Sequence, residues 1–350
     1  MRDQDLSHAL QQKIKQAVAD AAPLSIRGGN TKTFYGGHCD VMDVLETAGH
    51  SGVIAYEPSE LVITARAGSR LTEIAEILAA ERQVLGFEPP DFGGKATLGG
   101  TLACGFSGPR RPFAGSARDF ILGCKIINGH GEVLNFGGRV MKNVAGFDIS
   151  RLMVGALGTL GVILEVSVRV MPMPEAELTV NYALSEQQAL CKMNALSGQA
   201  WPLSAMAYDG DRLCVRFSGA EAAVRAAIRQ LGGDAEPQDE IFWRELREQR
   251  LPFFQLPGNL WRISVAPATP PLELSGTGLL DWGGALRWLK TDMPAEAIHT
   301  AVEKVGGYAL CYRGSERDWF RLDNGLLALQ QNIRKAFDPL GLFNPGRLFI

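Results

Sequence analysis

The sequence predicts an α+β protein of two domains, and three observations support this prediction. A chain of 350 residues is long enough to build two hydrophobic cores. Most of its 40 glycines precede residue 165, and the texture of the chain changes after that point. Pro172 and Pro174 end a long apolar strand between the two parts. We therefore expect a first domain over residues 1–174, a second over 175–333 and a tail over 334–350.

The elements of the first domain follow from local patterns in chain order. Residues 6–20 have the spacing of an amphipathic helix, and "SRLTEIAEILAAERQ" predicts another that begins after Ser69. "FILGCKIINGHGEVLNF" predicts a hairpin, because two apolar strands flank an Asn128-Gly129 turn. The remaining predictions are the strands "PLSIR", "GVIAYE" and "LVITARAG", a short helix around 148–153 and a strand over 162–170. The glycine-rich stretch "GGKATLGGTLACGFSGPRR" has no clear period of its own.

The second domain alternates strands, helices and hairpins. "LTVNYAL", "AMAYDGDRLCVRF", "LWRISVAP" and "GYALCYRG" have strand character, and the second of them turns at Asp209-Gly210. "SEQQALCKMNALS", "GAEAAVRAAIRQL" and "AEAIHTAVEKV" have helical spacing. This order predicts an antiparallel sheet with helices on one face. In the tail, a helix is broken at Pro339.

Composition excludes several classes of function. The net charge is −3 with no basic block, so nucleic-acid binding has no electrostatic footprint. The N-terminus lacks the apolar core of a signal peptide, and the longest apolar run is too short to span a bilayer. The six cysteines are scattered, without zinc or iron–sulfur spacing. We expect reduced thiols, no metal site and a cytoplasmic protein, which partner subunits could hold at the inner membrane.

Two glycine motifs resemble nucleotide loops but fail on spacing. In "GGKAT", Pro89 stands where a Walker loop needs its first glycine, and Ala96 stands where it needs a hydroxyl. "GALGTLG" has the spacing GxxGxxG and precedes a strand, whereas a Rossmann loop follows a strand and opens a helix. Two readings of the glycine loops remain: tight turns, or concavities of backbone N–H groups that grip an anion such as a dinucleotide diphosphate.

Four motifs occur in a telling order: "RGGNTK", "ATLGGTLACGFSGPRR", "KNVAGFD" followed by "LMVGALGTLGVILEVSVRVMP", and "FDPLGLFNPGRL". Together they resemble the FAD-binding flavoproteins of the vanillyl-alcohol oxidase and p-cresol methylhydroxylase type. Within that type, "KNVAGFD" and "DWGGALRW" are most similar to the FAD-binding E subunits of bacterial glycolate dehydrogenases. The resemblance is firm over residues 23–174 and from 334 onward.

The resemblance implies an FAD domain of two subdomains, a smaller cap domain over the flavin and a tail that returns to the FAD domain. It also implies which residues contact FAD, from the first loop to the tail: Gly28, Gly29, Asn30, Thr31, Thr97, Gly99, Gly100, Gly105, Ser107, Gly108, Gly146, Gly158, Gly161, Val162 and Asn344. Many relatives carry a histidine near the first loop and bind FAD covalently. Asn30 and Thr31 stand there instead, so we expect non-covalent FAD, and Cys104 is better explained as a small packed residue than as a covalent link.

Oxidation of a 2-hydroxy acid on a flavin needs a base for the hydroxyl proton and a cation for the carboxylate. Arg111, Arg287 and Arg313 are candidates for the cation, as is Arg110, although each is equally explained as a structural or surface residue. No base is evident, since His299 is the one histidine in residues 175–333. "DWGGALRWLK" could line the flavin or form a partner surface.

The leading interpretation is an FAD-binding subunit of a multi-subunit 2-hydroxy-acid dehydrogenase, with glycolate as the substrate. Electrons would pass through the flavin to an iron–sulfur partner, and the resemblance implies a larger FAD-binding subunit as the second partner. Two alternatives remain open: an electron-transfer or assembly subunit that oxidises no substrate itself, and a stand-alone flavin-dependent alcohol oxidase.

Overall fold

The computed structural model describes residues 3–138, 148–232, 234–236, 240–314 and 321–348. Contacts divide the chain into two units. The first comprises Met1–Ser107, Ser116–Met173 and Leu322–Ile350, and the second comprises Gly108–Gly115 and Pro174–Arg321. The limits 1–174, 175–333 and 334–350 remain a prediction for independently folding domains. By contacts, residues 108–115 go with the second unit and residues 322–333 with the first.

The described helices are α1 (Ser7–Ala19), α2 (Leu71–Ala80), α3 (Leu98–Cys104), α4 (Arg111–Ala114), α5 (Ala117–Phe120), α6 (Ile149–Met153), α7 (Glu186–Ser197), α8 (Glu221–Leu231), α9 (Glu240–Arg247), α10 (Pro252–Gln255), α11 (Ala295–Glu303) and α12 (Asn324–Phe337). Short 3-10 turns cover Pro58–Glu60 and Trp282–Gly284. Among the described residues, no helix is long and apolar enough to cross a membrane.

The described strands are β1 (Ser25–Arg27), β2 (Val44–Glu46), β3 (Val53–Glu57), β4 (Val62–Arg66), β5 (Gln83–Val84), β6 (Ile121–Ile127), β7 (Val133–Gly137), β8 (Val162–Arg169), β9 (Met171–Pro172), β10 (Ala176–Ala183), β11 (Leu203–Tyr208), β12 (Arg212–Gly219), β13 (Asp234–Glu236), β14 (Asn259–Ser264), β15 (Thr277–Asp281), β16 (Leu286–Thr291) and β17 (Tyr308–Arg313).

The first unit contains a five-stranded antiparallel sheet in the order β3-β4-β8-β6-β7. β8 is central, which explains its nearly continuous apolar sequence: both of its faces are covered. β1 and β2 form a separate parallel pair. Ile14 of α1, Ile127 of β6 and Phe343 of the tail belong to one buried cluster. The tail is therefore part of the core of this unit.

The second unit is built on an eight-stranded sheet in the order β13-β10-β12-β11-β15-β16-β14-β17, whose described strand pairs are antiparallel. Residues of α7 and α8 pack with β10, β11 and β12 in one buried cluster. Residues of α11 pack with β14, β16 and β17 in another. We call this side of the sheet the helix-covered face. The α+β class, with an antiparallel sheet and helices packed on it, is confirmed.

The glycine-rich stretch contains a helix that its sequence did not predict. α3 forms there because Thr97 caps it: the Thr97 hydroxyl accepts a hydrogen bond from the N–H of Gly100 at 3.3 Å. Gly105 ends the helix with a φ of 67°, in the left-handed region that glycine adopts without strain. Two glycines inside a seven-residue helix weaken the local preference, so the cap and tertiary contacts decide its formation.

Candidate functional site

The first glycine loop packs directly against the start of the glycine-rich stretch. A Cβ on Gly28 would lie 2.5 Å from the hydroxyl of Thr97, and one on Gly29 would collide with the carbonyl group of Lys95. The sequence needs glycine at both positions because backbone meets backbone here. The structure thus brings together two segments that lie about 70 residues apart in the sequence.

Four consecutive N–H groups of this loop have no acceptor within the described part of the chain: those of Gly28, Gly29, Asn30 and Thr31. Asn30 has a φ of 55°, so the backbone turns sharply through the left-handed region at that residue. Consecutive N–H groups on such a turn form a concavity that binds anions. The residues present therefore fit a diphosphate, and the reading of this loop as a tight turn alone leaves these donors unexplained.

A buried lysine lies beside this loop, and the sequence predictions missed it. Lys32 is 6% exposed, and its Nζ donates to the hydroxyls of Thr31 at 3.1 Å and Thr101 at 3.4 Å. The same ammonium lies 5.4 Å from the centre of the Phe92 ring. A fixed positive charge next to an anion-binding loop is what a diphosphate requires. The lysine of "GGNTK" was a visible signal in the sequence.

The predicted residues of α3 divide into two groups. Gly99 donates its N–H to the carbonyl of Ala67 at 2.8 Å, and a Cβ there would lie 2.6 Å from the Cβ of Ala67. Gly99 therefore permits helix packing. A Cβ on Gly100 would meet one described atom, the Thr97 hydroxyl at 3.1 Å, so this side of α3 has room for another group. Gly100 fits a cofactor-facing position, whereas Gly99 is explained by the protein itself.

The end of the stretch is divided between the two units. Gly105 packs against Gly155, since a Cβ on it would lie 3.3 Å from the Cα of Gly155. The hydroxyl of Ser107 accepts from the N–H of Ala117 at 2.9 Å, and both lie in the first unit. Gly108 belongs to the second unit, where its carbonyl accepts from the indole N–H of Trp282 at 3.0 Å.

Asn344 joins the last glycine loop to the first strand. Its amide nitrogen donates to the carbonyl of Leu157 at 2.7 Å, and its Oδ1 accepts from the N–H of Ile26 at 2.7 Å. A Cβ on Gly158 would lie 2.7 Å from the same amide nitrogen. The side chain of Asn344 is thus held by protein groups on both sides. It positions the loop, and a contact with the flavin ring stays a prediction.

Gly161 and Val162 are explained by the sheet. A Cβ on Gly161 would lie 2.9 Å from the carbonyl of Ile127, and Val162 is fully buried at the start of β8. Predicted contacts of these two residues with FAD stay untested. Gly146 lies outside the described residues.

The tail supplies another residue that the sequence analysis missed. The guanidinium of Arg347 donates to the carbonyls of Lys32 at 3.4 Å, Thr33 at 3.3 Å and Gly37 at 3.4 Å. The carbonyl of Arg347 accepts from the N–H of Gly37 at 2.9 Å. Arg347 therefore fixes the segment that follows the first glycine loop, and "NPGRL" acts through its arginine as well as its asparagine.

Burial raises the pKa of the Cys104 thiol, although the charges of Lys32 and Arg347 act in the opposite direction. The neutral thiol is a poor nucleophile, which agrees with a packed residue. Across the described ranges, no group of three or more His, Cys, Asp or Glu side chains could hold a metal ion.

Two of the candidate arginines are held in the second unit. Arg110 pairs with Glu177 at 2.5 Å and donates to the hydroxyl of Ser218 at 3.4 Å. The guanidinium of Arg111 lies 4.1 Å from the centre of the Trp282 ring. The "PRR" ending of the glycine-rich stretch therefore meets "DWGG", a contact that neither segment predicts alone.

Arg287 has a structural position. It is 4% exposed, and its guanidinium donates to three carbonyls, those of Gly284, Thr269 and Pro270. Its strand partners Leu280 and Ile263 both belong to clusters of the helix-covered face, and cross-strand partners share a face. A substrate carboxylate would have to displace these bonds, so Arg287 does not fit the role of a clamp.

Arg313 and His299 lie near the other edge of the same sheet. Arg313 pairs with Leu260, and burial lowers the pKa of its guanidinium. Its guanidinium lies 5.7 Å from the centre of the Tyr312 ring. His299 is buried on α11, with its ring centre 5.7 Å from that of Trp261 in the helix-covered cluster.

Comparison with known proteins agrees with this geometry. Residues 7–137 match the model of the FAD binding domain family. The chain is 44% identical over 349 residues to the glycolate oxidase subunit GlcE of Escherichia coli (strain K12), an alignment that covers 100% of this chain and 99% of that protein. It is 28% identical over 408 positions to D-lactate dehydrogenase of Archaeoglobus fulgidus, covering 96% of this chain and 88% of that protein.

A match to the glycolate oxidase subunit GlcD of Bacillus subtilis (strain 168) is 32% identical over 162 residues, covering 45% of this chain and 34% of that protein. Among solved structures, alkyldihydroxyacetonephosphate synthase is similar with a TM-score of 0.68 at 16% identity, covering 97% of this chain and 76% of that chain. This last likeness shows the fold. The predictions of an FAD-binding fold, of FAD as the cofactor and of an FAD-dependent oxidoreductase are confirmed.

Proposed function

The chain belongs to the family of the glycolate oxidase subunit GlcE, and on this premise we propose that it is the FAD-binding subunit of a multi-subunit enzyme that oxidises a small 2-hydroxy acid. Glycolate is the first substrate to test, because the relative that aligns over the whole chain is named for it. D-lactate is the second, because another relative that spans most of the chain is named for it.

The observation that carries the proposal is the set of four N–H groups, from Gly28 to Thr31, that lack an acceptor among the described residues. An anion that accepts from them satisfies donors that the fold leaves open. Lys32 adds a fixed positive charge beside the same loop. The diphosphate of FAD has the charge and the oxygen atoms that this arrangement can bind.

Other residues of the first unit would shape the rest of the cofactor site. The open side of Gly100 on α3 gives space for a flat group next to the backbone. Asn344 and Arg347 hold the surrounding loops in place from the tail. When bound, FAD supplies the redox chemistry, since it accepts the two electrons that leave the α-carbon of the substrate.

The proposed partners are a larger FAD-binding subunit and an iron–sulfur subunit. The word "subunit" in the name of the full-length relative supports a complex. The sequence contains six cysteines without iron–sulfur spacing, so we assign the cluster to the partner. Electrons would pass from the flavin to this cluster.

One observation favours a second candidate, an electron-transfer or assembly subunit that oxidises no substrate itself. His299 lies in the helix-covered cluster, packed against Trp261, and so is unsuited to take a proton from a substrate. In this alternative the larger FAD-binding subunit would carry out the oxidation.

Purification of the full chain, alone and co-expressed with its partner subunits, tests both candidates. We expect a flavin spectrum, release of all flavin on acid precipitation as non-covalent FAD requires, and bleaching by anaerobic glycolate or D-lactate. Bound flavin that both acids leave oxidised would favour the second candidate. A colourless protein that FAD cannot reconstitute would overturn the cofactor assignment. Non-haem iron that co-purifies with the complex, and is absent from the chain alone, tests the assigned partner.

A further inference from the structure

The side of the eight-stranded sheet opposite the helix-covered face carries arginines and aromatic rings. Side chains alternate along a strand, so Arg262 points away from Trp261 and Ile263, which lie in the helix-covered cluster. Likewise, Arg216 points away from Val215 and Phe217. We call this second side the arginine face. It is also the side on which the guanidinium of Arg216 lies 5.0 Å from the centre of the Trp243 ring.

Two guanidinium groups converge on one indole ring at this face. Arg111 lies 4.1 Å from the centre of the Trp282 ring, and Arg262 lies 5.1 Å from it. The separation of the two guanidinium carbons therefore cannot exceed the sum of these distances. Two like charges held this close repel each other, and an anion near both would remove that repulsion.

The backbone of Trp282 is held in an unusual conformation that fixes the ring. Its φ is 53°, a genuine outlier for a bulky side chain. Its N–H donates to the Asp281 carboxylate at 2.7 Å, and its indole N–H donates to the carbonyl of Gly108 at 3.0 Å. Backbone strain of this kind is concentrated at binding and catalytic sites, where it holds a group in place. The ring is thus a fixed platform for both arginines.

Arg262 differs from the other arginines of this face. Arg110 and Arg216 both pair with Glu177, at 2.5 Å and 3.5 Å. Arg262 is half-buried and, within the described residues, makes no hydrogen bond and no ion pair. Its guanidinium has five N–H donors in a fixed fork that matches a carboxylate. A half-buried cation of this kind needs an anion that is not part of the described chain.

We infer that Arg262, with Arg111 and the Trp282 ring, binds the carboxylate of a small 2-hydroxy acid. This inference rests on the proposed function and names the residues that would recognise its substrate class. Arg262 was not among the arginines selected from the sequence, because nothing in "LWRISVAP" indicates that its side chain meets "DWGG" and "PRR". The site selects for a carboxylate, so an alcohol of similar size without one would bind poorly.

The test measures binding of oxalate, a small carboxylate that cannot be oxidised at an α-carbon. Titrations of the purified full chain, followed by calorimetry and by tryptophan fluorescence, compare the natural protein with Arg262→Gln and Arg262→Lys. We expect Arg262→Gln to weaken binding roughly ten- to hundredfold, as the loss of charged hydrogen bonds does. Arg262→Lys should restore a part of it, since the charge returns without the fork. Ethylene glycol, which lacks a carboxylate, should not bind measurably.

The control is Arg225→Gln, which removes the same charge from an exposed pair with Glu221 on α8. It should leave oxalate binding unchanged. Because Arg262 makes no hydrogen bond among the described residues, its replacement should leave the thermal unfolding midpoint within the range of the control. In the co-expressed complex, the KM for glycolate should rise with the dissociation constant for oxalate across the Arg262 variants.

The outcomes separate this inference from the proposed function. If glycolate reduces the flavin and Arg262→Gln binds oxalate as tightly as the natural protein, the inference is overturned and the function stands. If oxalate binding depends on Arg262 while neither glycolate nor D-lactate reduces any flavin, the carboxylate site stands and the proposed oxidation fails. Oxalate that does not bind the natural protein, or ethylene glycol that binds as well as oxalate, also overturns the inference.

Discussion

The amide nitrogen of Asn344 donates a hydrogen bond of 2.7 Å to the carbonyl of Leu157, which precedes it by 187 residues. On its other side, the same side chain accepts from the N–H of Ile26. Asn344 is 6% exposed, so neither partner can turn to water instead. One tail residue therefore connects the first strand of the anion-binding segment to the last glycine loop.

Replacement of Asn344 by alanine should destabilise the first unit. The change leaves the Leu157 carbonyl and the Ile26 N–H buried without a partner, and we expect a loss of about 2–5 kcal/mol in the free energy of unfolding. Urea unfolding of the apoprotein measures it. Asn332→Ala on the exposed side of α12 is the matched control and should change stability little. Equal unfolding curves for the two variants would contradict the role of Asn344.

Gly100→Val should abolish retention of flavin while the fold survives. The new side chain would meet little described protein beyond the Thr97 hydroxyl, so it fills space that we assign to the cofactor. The ratio of flavin to protein absorbance after purification measures retention. Gly198→Val, at the exposed end of α7, is the control and should keep its flavin. Normal flavin content in Gly100→Val would show that α3 does not border FAD.

Gly29→Ala should affect folding as well as flavin. Its Cβ would collide with the carbonyl group of Lys95, which is backbone and cannot rotate away. We expect a destabilisation of roughly 3 kcal/mol from the forced movement of two packed segments. Thermal unfolding of apoprotein, compared with that of Gly100→Val, separates the two effects. A Gly29→Ala protein as stable as the natural one would mean that the loop can move away from Lys95.

Lys32→Met should weaken FAD and leave riboflavin unaffected. The charge of Lys32 is assigned to the diphosphate, which riboflavin lacks, so a loss of roughly ten- to hundredfold is expected for FAD alone. Fluorescence titrations of the apoprotein with each flavin measure both affinities. An equal loss for the two flavins would show that Lys32 supports the fold of the site and not the recognition of phosphate.

Burial of Cys124 should make the stability of the protein depend on alkaline pH. Burial raises the pKa of this thiol from 9.0 to about 11. Between these values the unfolded chain has lost the proton and the folded protein still holds it, so the free energy of unfolding falls as pH rises from about 9 to about 11. The total fall is about 2–3 kcal/mol. Urea unfolding at several pH values should show this part of the slope disappear in Cys124→Ala; parallel curves would refute it.

The sequence by itself determined the regular elements and the cofactor class. Apolar periods gave α1, α7 and α8, and apolar strands around a glycine turn predicted the β6–β7 hairpin, because these signals are local. The ordered glycine motifs indicated FAD before any geometry was known. Failed spacing likewise removed the Walker and Rossmann readings without a structure.

Tertiary structure decided which of the small residues face open space and which face protein. Gly99 and Gly100 are neighbours with the same sequence signal, yet one packs on Ala67 and the other has an open side. It also decided that Arg287 is held by three carbonyls, whereas Arg262 converges with Arg111 on Trp282. The physical reason is that such roles depend on contacts between segments far apart in the chain, which strand register and close backbone approach create and local patterns do not encode.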